Sequence, residues 1–304
     1  ESIGAVPRYL QAEAEAEAEA EAEAEAEAEA EAQAQAQAQA QASLNMLSRQ
    51  SEMVLVQGLY RQQYPGSGRS IASRETRYRD IAPHLQTLGV VSYEWVNGHD
   101  KKMANGLLRR LRGTACPPDA VEILSIDESG LRHSLASDAG RVQWRALLGC
   151  ESGGYDVARS FILMGATLRL LEADRGGQRL LWFGNGLDQL SRGEFIEHYT
   201  TRHGPLVAGH APVIGLRGYR QVPAEQEELC DALRELGLGR APSPAVFAEL
   251  TMGAPPISLS AIRARRTATR EIKEDEKRHI GFGRSMLLLT ASATPHGNTG
   301  AGTL

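Results

Sequence analysis

Apolar residues fall into short blocks with two kinds of spacing. The run from Glu52 to Tyr60 is apolar and rich in β-branched residues, and Val90–Val96 alternates, with Val91, Tyr93 and Trp95 set against Val90, Ser92 and Glu94. Both read as strands. Between them, Ser73–Leu88 opens on a capping serine and repeats Tyr78, Ile81, Leu85 and Leu88 at helical spacing. A basic helical stretch, Gly106–Arg112, and the breaker Cys116-Pro117-Pro118 precede a strand at Ala120–Ile126. A second helix fits Glu128–Leu135 or Gly140–Leu148, and a strand fits Val157–Leu171.

The same order then recurs. Arg179–Phe183 is a strand, Ser191–Ala208 a helix and Gly215–Val222 a strand, followed by a polar helical insert from Ala224 to Leu236. Pro242 and Pro244 precede a strand at Val246–Met252, a long charged helix at Ser258–His279 and a closing strand at Ser285–Thr290. Each half reads β-α-β-β-α-β, the ferredoxin-like split βαβ order. The expectation is an α+β chain of two tandem ferredoxin-like halves, paired face to face as an α/β barrel. The predicted boundaries are a low-complexity tail over 1–50, a diverged first half over 51–176, a second half over 177–292 and a flexible tail over 293–304.

Ala12 to Ala42 alternates Ala with Glu or Gln, and a period of two spreads polar and apolar groups around a helix, leaving no face to bury. A solvated helix or a disordered tail is expected, with a tethering arm as the functional alternative. The repeat also distorts the charge: 33 Lys+Arg against 38 Asp+Glu gives −5, but ten of the acids lie in the repeat, and the remainder is +5. The longest apolar runs are of strand length, too short to cross a membrane, and the first 30 residues lack a signal-peptide pattern. Three dispersed cysteines suggest reduced thiols. The chain therefore reads as cytoplasmic. The arginines from Arg263 to Arg270 give way to Glu271, Glu274, Asp275 and Glu276, a solvated helix face that argues against nucleic acid. No HExxH, paired CxxC or Asp-rich loop points to a metal, and Gly184-Asn185-Gly186 does not continue as a dinucleotide fingerprint.

The most distinctive stretch is Gly193–Val222. Phe195, Tyr199, Arg202 and Leu206 share a helical face, and Pro205 predicts a kink or helix end near His203-Gly204. Phe195…Tyr199…His203-Gly204-Pro205-Leu206 followed by Leu216-Arg217-Gly218-Tyr219 resembles the EthD-type domain of the dimeric α/β-barrel superfamily. The strand around Phe247-Ala248-Glu249-Leu250 and the acidic helix ending Asp275-Glu276-Lys277-Arg278-His279 are also similar, so the resemblance spans about 178–291. The first half has Ala82-Pro83-His84-Leu85 where the second has its His-Gly-Pro-Leu.

The resemblance implies a small apolar cavity and a hydrophobic, aromatic or polyketide-like substrate, handled without metal, flavin or other cofactor by a lyase, cyclase, isomerase or monooxygenase. Some tandem branches of the superfamily bind haem. His203 is the candidate acid–base, since an imidazole titrates near ~6.5, with Tyr199 one turn before it and Glu249 as an acid partner. Phe183, Phe195, His210, Tyr219 and Phe247 are the candidate substrate-binding residues. Against this stands His203 as a mere helix-end cap, and the whole chain as a binding or assembly protein without catalysis. A second copy of the chain is the candidate macromolecular partner.

Overall fold

The computed structural model describes residues 52–61, 84–97, 116–150, 154–172, 177–290 and 302–303. All of them belong to one compact unit, Leu47–Leu304. The Ala-Glu/Ala-Gln repeat, the Gly106–Arg112 stretch and most of the predicted Ser73–Leu88 helix lie outside the described residues, though residues 84–87 are helical.

The strands are β1 (Met53–Leu59), β2 (Val90–Asn97), β3 (Ala120–Ile126), β4 (Phe161–Ala166), β5 (Leu168–Leu171), β6 (Gln178–Gly184), β7 (Leu216–Pro223), β8 (Val246–Met252), β9 (Met286–Leu289) and β10 (Gly302–Thr303). They make two antiparallel five-stranded sheets, ordered β10-β2-β3-β1-β4 and β5-β7-β8-β6-β9. Setting aside the edge strands β10 and β5, both sheets have the order second, third, first, fourth, consistent with a ferredoxin-like unit. The predicted strand over Val157–Leu171 is two strands: β4 closes the first sheet and β5 opens the second, with only Thr167 between them.

Helices flank the sheets. Helix α1 (Glu128–Ala136) is capped by Asp127, whose carboxylate accepts from Gly130 N–H, and α2 (Asp138–Leu148) by Ser137 in the same way. The sequence offered these two segments as alternatives, and both form. Helix α3 (Arg192–His198) begins with a Ser191/Glu194 capping box and runs through a π-helical segment, Tyr199–His203, into α4 (Gly204–Gly209). A short α5 (Ala211–Ile214), the insert helix α6 (Glu227–Glu235) and the long α7 (Leu259–His279) complete the set.

Three apolar clusters define the layers. Val54, Val56, Val121, Ile123 and Leu163 of the first sheet meet Leu181, Phe183, Val222, Phe247 and Leu288 of the second, so the sheets pack face to face. The outer face of the first sheet carries Leu55, Leu124, Ile162 and Met164 against Leu131 and Trp144 of α1 and α2 and against Leu229, Cys230 and Leu233 of α6. The outer face of the second carries Trp182, Tyr219, Val246 and Ala248 against Phe195, Tyr199, Val207 and Ile272. The face-to-face pairing therefore holds, but the expected closed barrel is not found among the described residues: the strands form two separate ladders. The chain just past β7 is tied to the first sheet where Glu225 and Gln226 donate backbone N–H groups to Met164 O of β4. Gly165 is required there, because a Cβ would lie 1.8 Å from Pro223 O.

One charged group spans the two sheets. Arg179 of β6 donates to both oxygens of Glu94 on β2 and, through Nε, to Glu249 on β8 at 2.6 Å. Arg220 of β7 donates to the other oxygen of Glu249 at 2.6 Å. All four side chains are 11–19% exposed. Removing Arg179 would leave Glu94 partly buried with only Arg220, 4.0 Å away, and Glu249 with one of its two arginines. Arg179→Met is expected to cost roughly 3 kcal/mol, the lower end for breaking a buried pair, or a Tm fall of about 6–12 °C. Arg132→Met, which breaks the exposed α1 pair with Glu128, should change stability by less than about 0.5 kcal/mol. Urea and thermal unfolding of the two variants check this.

Candidate functional site

The site begins with a proline. Pro205 has no N–H to give to the carbonyl four residues back, and its ring crowds that carbonyl. The predicted kink or helix end is instead a local widening: Gly204 N–H reaches back five residues to Tyr199 O, and the helix continues beyond it. On a regular helix His198 and His203, five residues apart, would diverge by about 140°. The wider turn brings both imidazoles to one carboxylate, Asp275 near the end of α7.

His203 Nδ1 lies 2.8 Å from Asp275 Oδ2. His198 Nε2 lies 2.9 Å from Asp275 Oδ1 but off the line of a hydrogen bond, and this buried nitrogen has no hydrogen-bond partner among the described residues. His279, one turn after Asp275, places Nδ1 2.9 Å from the Asp275 carbonyl and 3.4 Å from Oδ1. Its ring stacks on His198, centroids 3.4 Å apart. Burial works to raise the Asp275 pKa, but the His203 and His198 imidazoles outweigh it and hold the carboxyl at about 2. Burial holds the His198 imidazole below its usual value, with His279 and His203 adding to the effect against Asp275.

A buried polar chain adjoins this cluster on the sheet. Tyr199 stacks on Trp182 at 4.9 Å and lies 4.7 Å from the His203 ring. Tyr219 Oη donates to Tyr199 Oη at 3.4 Å, and Gln221 Nε2 donates to Tyr219 Oη at 2.6 Å. Gln221 Oε1 is buried without a partner among the described residues. Burial raises both phenols, Tyr219 to about 12 and Tyr199 well above its usual value. It also raises the half-buried Glu276 carboxyl, against the His203 charge. Gly204 allows the helix to press on this chain, since a Cβ there would lie 2.5 Å from Gln221 Nε2.

The structure splits the predicted site residues into two groups. Strand alternation puts Tyr219 on the outer face of the second sheet, where helix residues His203, Tyr199 and Phe195 meet it. Glu249, Phe183 and Phe247 lie on the opposite face, between the sheets. Phe183 packs 5.2 Å from Phe161 and 5.3 Å from Phe247. Glu249 is bound by Arg179 and Arg220, whose charges outweigh burial and keep its pKa low. The sheet thus separates it from His203, and the acid beside His203 is Asp275. His210 is partly exposed and pairs with Glu271 at 2.8 Å. Sequence reasoning missed His198, Asp275, His279 and Gln221 as members of the cluster. The Asp275/His279 spacing was a signal, but its partner lies 72 residues away on another helix.

Comparison with protein-family models and with curated proteins finds no match. Among solved structures, the chain is similar to a candidate monooxygenase from Lactobacillus acidophilus (11% identity, TM-score 0.38, covering 84% of this chain and all of that one). It is also similar to a candidate monooxygenase from Fusobacterium nucleatum (7%, TM-score 0.40, 80% of this chain and 94% of that one). A mutant chlorite dismutase from Candidatus Nitrospira defluvii gives 9% and 0.39, over 81% and 94% of the two chains. Likenesses this distant identify no reaction. No described helix is long and apolar enough to cross a membrane.

A carboxyl held at about 2 in the folded chain, against an ordinary ~3.9, adds stability that is fully present above about pH 4 and is lost as pH falls towards 2. Urea unfolding from pH 5 to 2 should therefore show the wild type more stable than Asp275→Asn at pH 5, with the difference shrinking steadily below pH 4.

Proposed function

We propose that the chain is a small-molecule enzyme that uses His203 for acid–base chemistry on a hydrophobic, aromatic or polyketide-like substrate. The observation that carries this reading is the buried His203–Asp275 pair set against an aromatic wall of Tyr199, Trp182 and Phe195. An aspartate bonded to Nδ1–H fixes the imidazole tautomer, stabilises the imidazolium and leaves Nε2 to accept or give a proton. The Tyr219 and Tyr199 hydroxyls, kept protonated by burial, would donate to an oxygen that gains charge. A lyase, cyclase or isomerase fits these groups, with a cofactor-free monooxygenase next. The proposal includes an EthD-type second half, on the Phe195…Tyr199…His203-Gly204-Pro205-Leu206 pattern.

A second reading rests on a specific observation: Tyr199 is 3% and His203 4% exposed, inside a packed cluster. Catalysis then requires α3 and α4 to lift from the sheet to admit substrate. If they do not, the His203–Asp275 pair is a clamp between helices in a binding or assembly protein, with a second copy of the chain as one candidate partner.

A thermal-shift panel of phenols, aromatic acids and polyketide-like molecules on the full chain, followed by solvent-deuterium exchange into any binder, separates the two. The enzyme reading expects a binder whose exchange or turnover falls by about 100-fold or more in His203→Gln, while the variant still binds the molecule. A variant that loses Tm by several degrees, in a chain that binds no molecule of the panel, favours the clamp.

A further inference from the structure

The geometry points to a divalent transition-metal site formed by His198 Nε2, Asp275 Oδ1 and His279 Nδ1. These atoms all lie within 4.8 Å of one another. His198 Nε2 and His279 Nδ1 stand 2.9 and 3.4 Å from the same carboxylate oxygen. Ligand atoms held ~2.0–2.2 Å from one zinc are separated by about that much. Two imidazoles and one carboxylate suit Zn2+ or Fe2+, and three protein ligands leave positions open for water or a small oxygen ligand.

Three features favour binding over a purely structural cluster. His198 Nε2 is buried and makes no aligned hydrogen bond to its neighbour Asp275 Oδ1 at 2.9 Å, so a metal bound by both atoms would satisfy a nitrogen that the protein leaves poorly paired. The other Asp275 oxygen is fixed by His203 Nδ1, the kind of outer contact that orients a ligating carboxylate. The three side chains are 12%, 17% and 26% exposed, sheltered yet reachable from solvent.

The site does not close on a metal without movement. The His198 and His279 planes are within 18° of parallel, and a metal must lie near both planes, so one ring has to rotate. His279 is the one to turn, releasing the contact of its Nδ1 with the Asp275 carbonyl. The π-turn is what makes the set available, because it gives His198 and His203 the same direction.

The inference goes beyond the acid–base reading and stands without it. The test uses the metal-stripped full chain, with any affinity tag removed, titrated with Zn2+, with Fe2+ under nitrogen, and with Mg2+. Imidazole NMR of the wild type follows the ligands directly, so the result does not depend on how variants fold. Zn2+ is expected to bind one per chain at micromolar protein, shifting His198 and His279 and leaving the exposed His133 of α1 unmoved. His198→Ala and His279→Ala should each weaken binding at least tenfold, His203→Gln by ~10-fold, and His133→Ala not at all. Absence of stoichiometric Zn2+ and Fe2+ binding overturns the site, as does a shift confined to other histidines, full binding by the His198→Ala/His279→Ala double variant, or a preference for Mg2+. A chain that binds no metal yet loses turnover in His203→Gln sinks this inference and leaves the acid–base one standing.

Discussion

The constraint on which the architecture depends is that both sheets are buried on both faces. No residue of β1 and β3 in the first sheet, or of β6 and β8 in the second, is exposed, so neither sheet can be left to face water. Pairing inner faces and covering outer faces with helices satisfies both at once, and it divides every strand by parity. On β8, Phe247 and Glu249 turn inward while Val246 and Ala248 turn outward. A polar residue sent inward must be paired there, and Glu249 is, by two arginines of its own sheet and through Arg179 to Glu94 of the other. That network belongs to the seam between sheets. The histidine cluster lies on the far side of the second sheet.

On that side the controlling feature is Pro205. A straight helix from Arg192 to Gly209 would present one histidine to α7. The missing N–H favours a π-turn, and the π-turn presents two. Asp275 receives one imidazole on each oxygen, and His279 joins from the same helix one turn on. The carboxylate is therefore shared between two roles: Oδ2 polarises His203 beside the tyrosines, and Oδ1 faces His198 and His279 near the surface.

The strands and helices were largely legible because their periods are clear: an apolar, β-branched run for β1 and regular apolar spacing for α3. The site was half legible. The Phe195, Tyr199 and His203 spacing marks one helical face, and Pro205 marks a distortion beside it. The kind of distortion was not readable, because a lost N–H is compatible with a kink, an end or a widened turn, and tertiary packing chooses. Glu249 was misplaced for a related reason. When both faces of a strand are buried, alternation separates two groups of residues without saying which group meets the helices. Asp275 stood in a run of charges that reads as solvated, and only the packing of α7 on the π-turn removes it from water.

The helical insert α6 bears on how the two sheets relate. It leaves the second sheet after β7, yet Leu229, Cys230 and Leu233 pack on the outer face of the first, and Gly237 O accepts from Cys150 N–H. Gln57 of β1 donates to Leu238 O just beyond it. Without α6 the first sheet would expose part of its outer apolar face, so it depends on the second sheet across the seam and on α6 over its back. The dependence is unequal. The outer face of the second sheet is covered by α3, α4 and α7, which lie between its own strands along the chain. The sheet that carries the histidine cluster is thus covered by helices from between its own strands, while the first sheet borrows a helix. Even so, α3 is tied to that borrowed cover, because Arg192 at its start pairs with Glu227 of α6 at 3.6 Å.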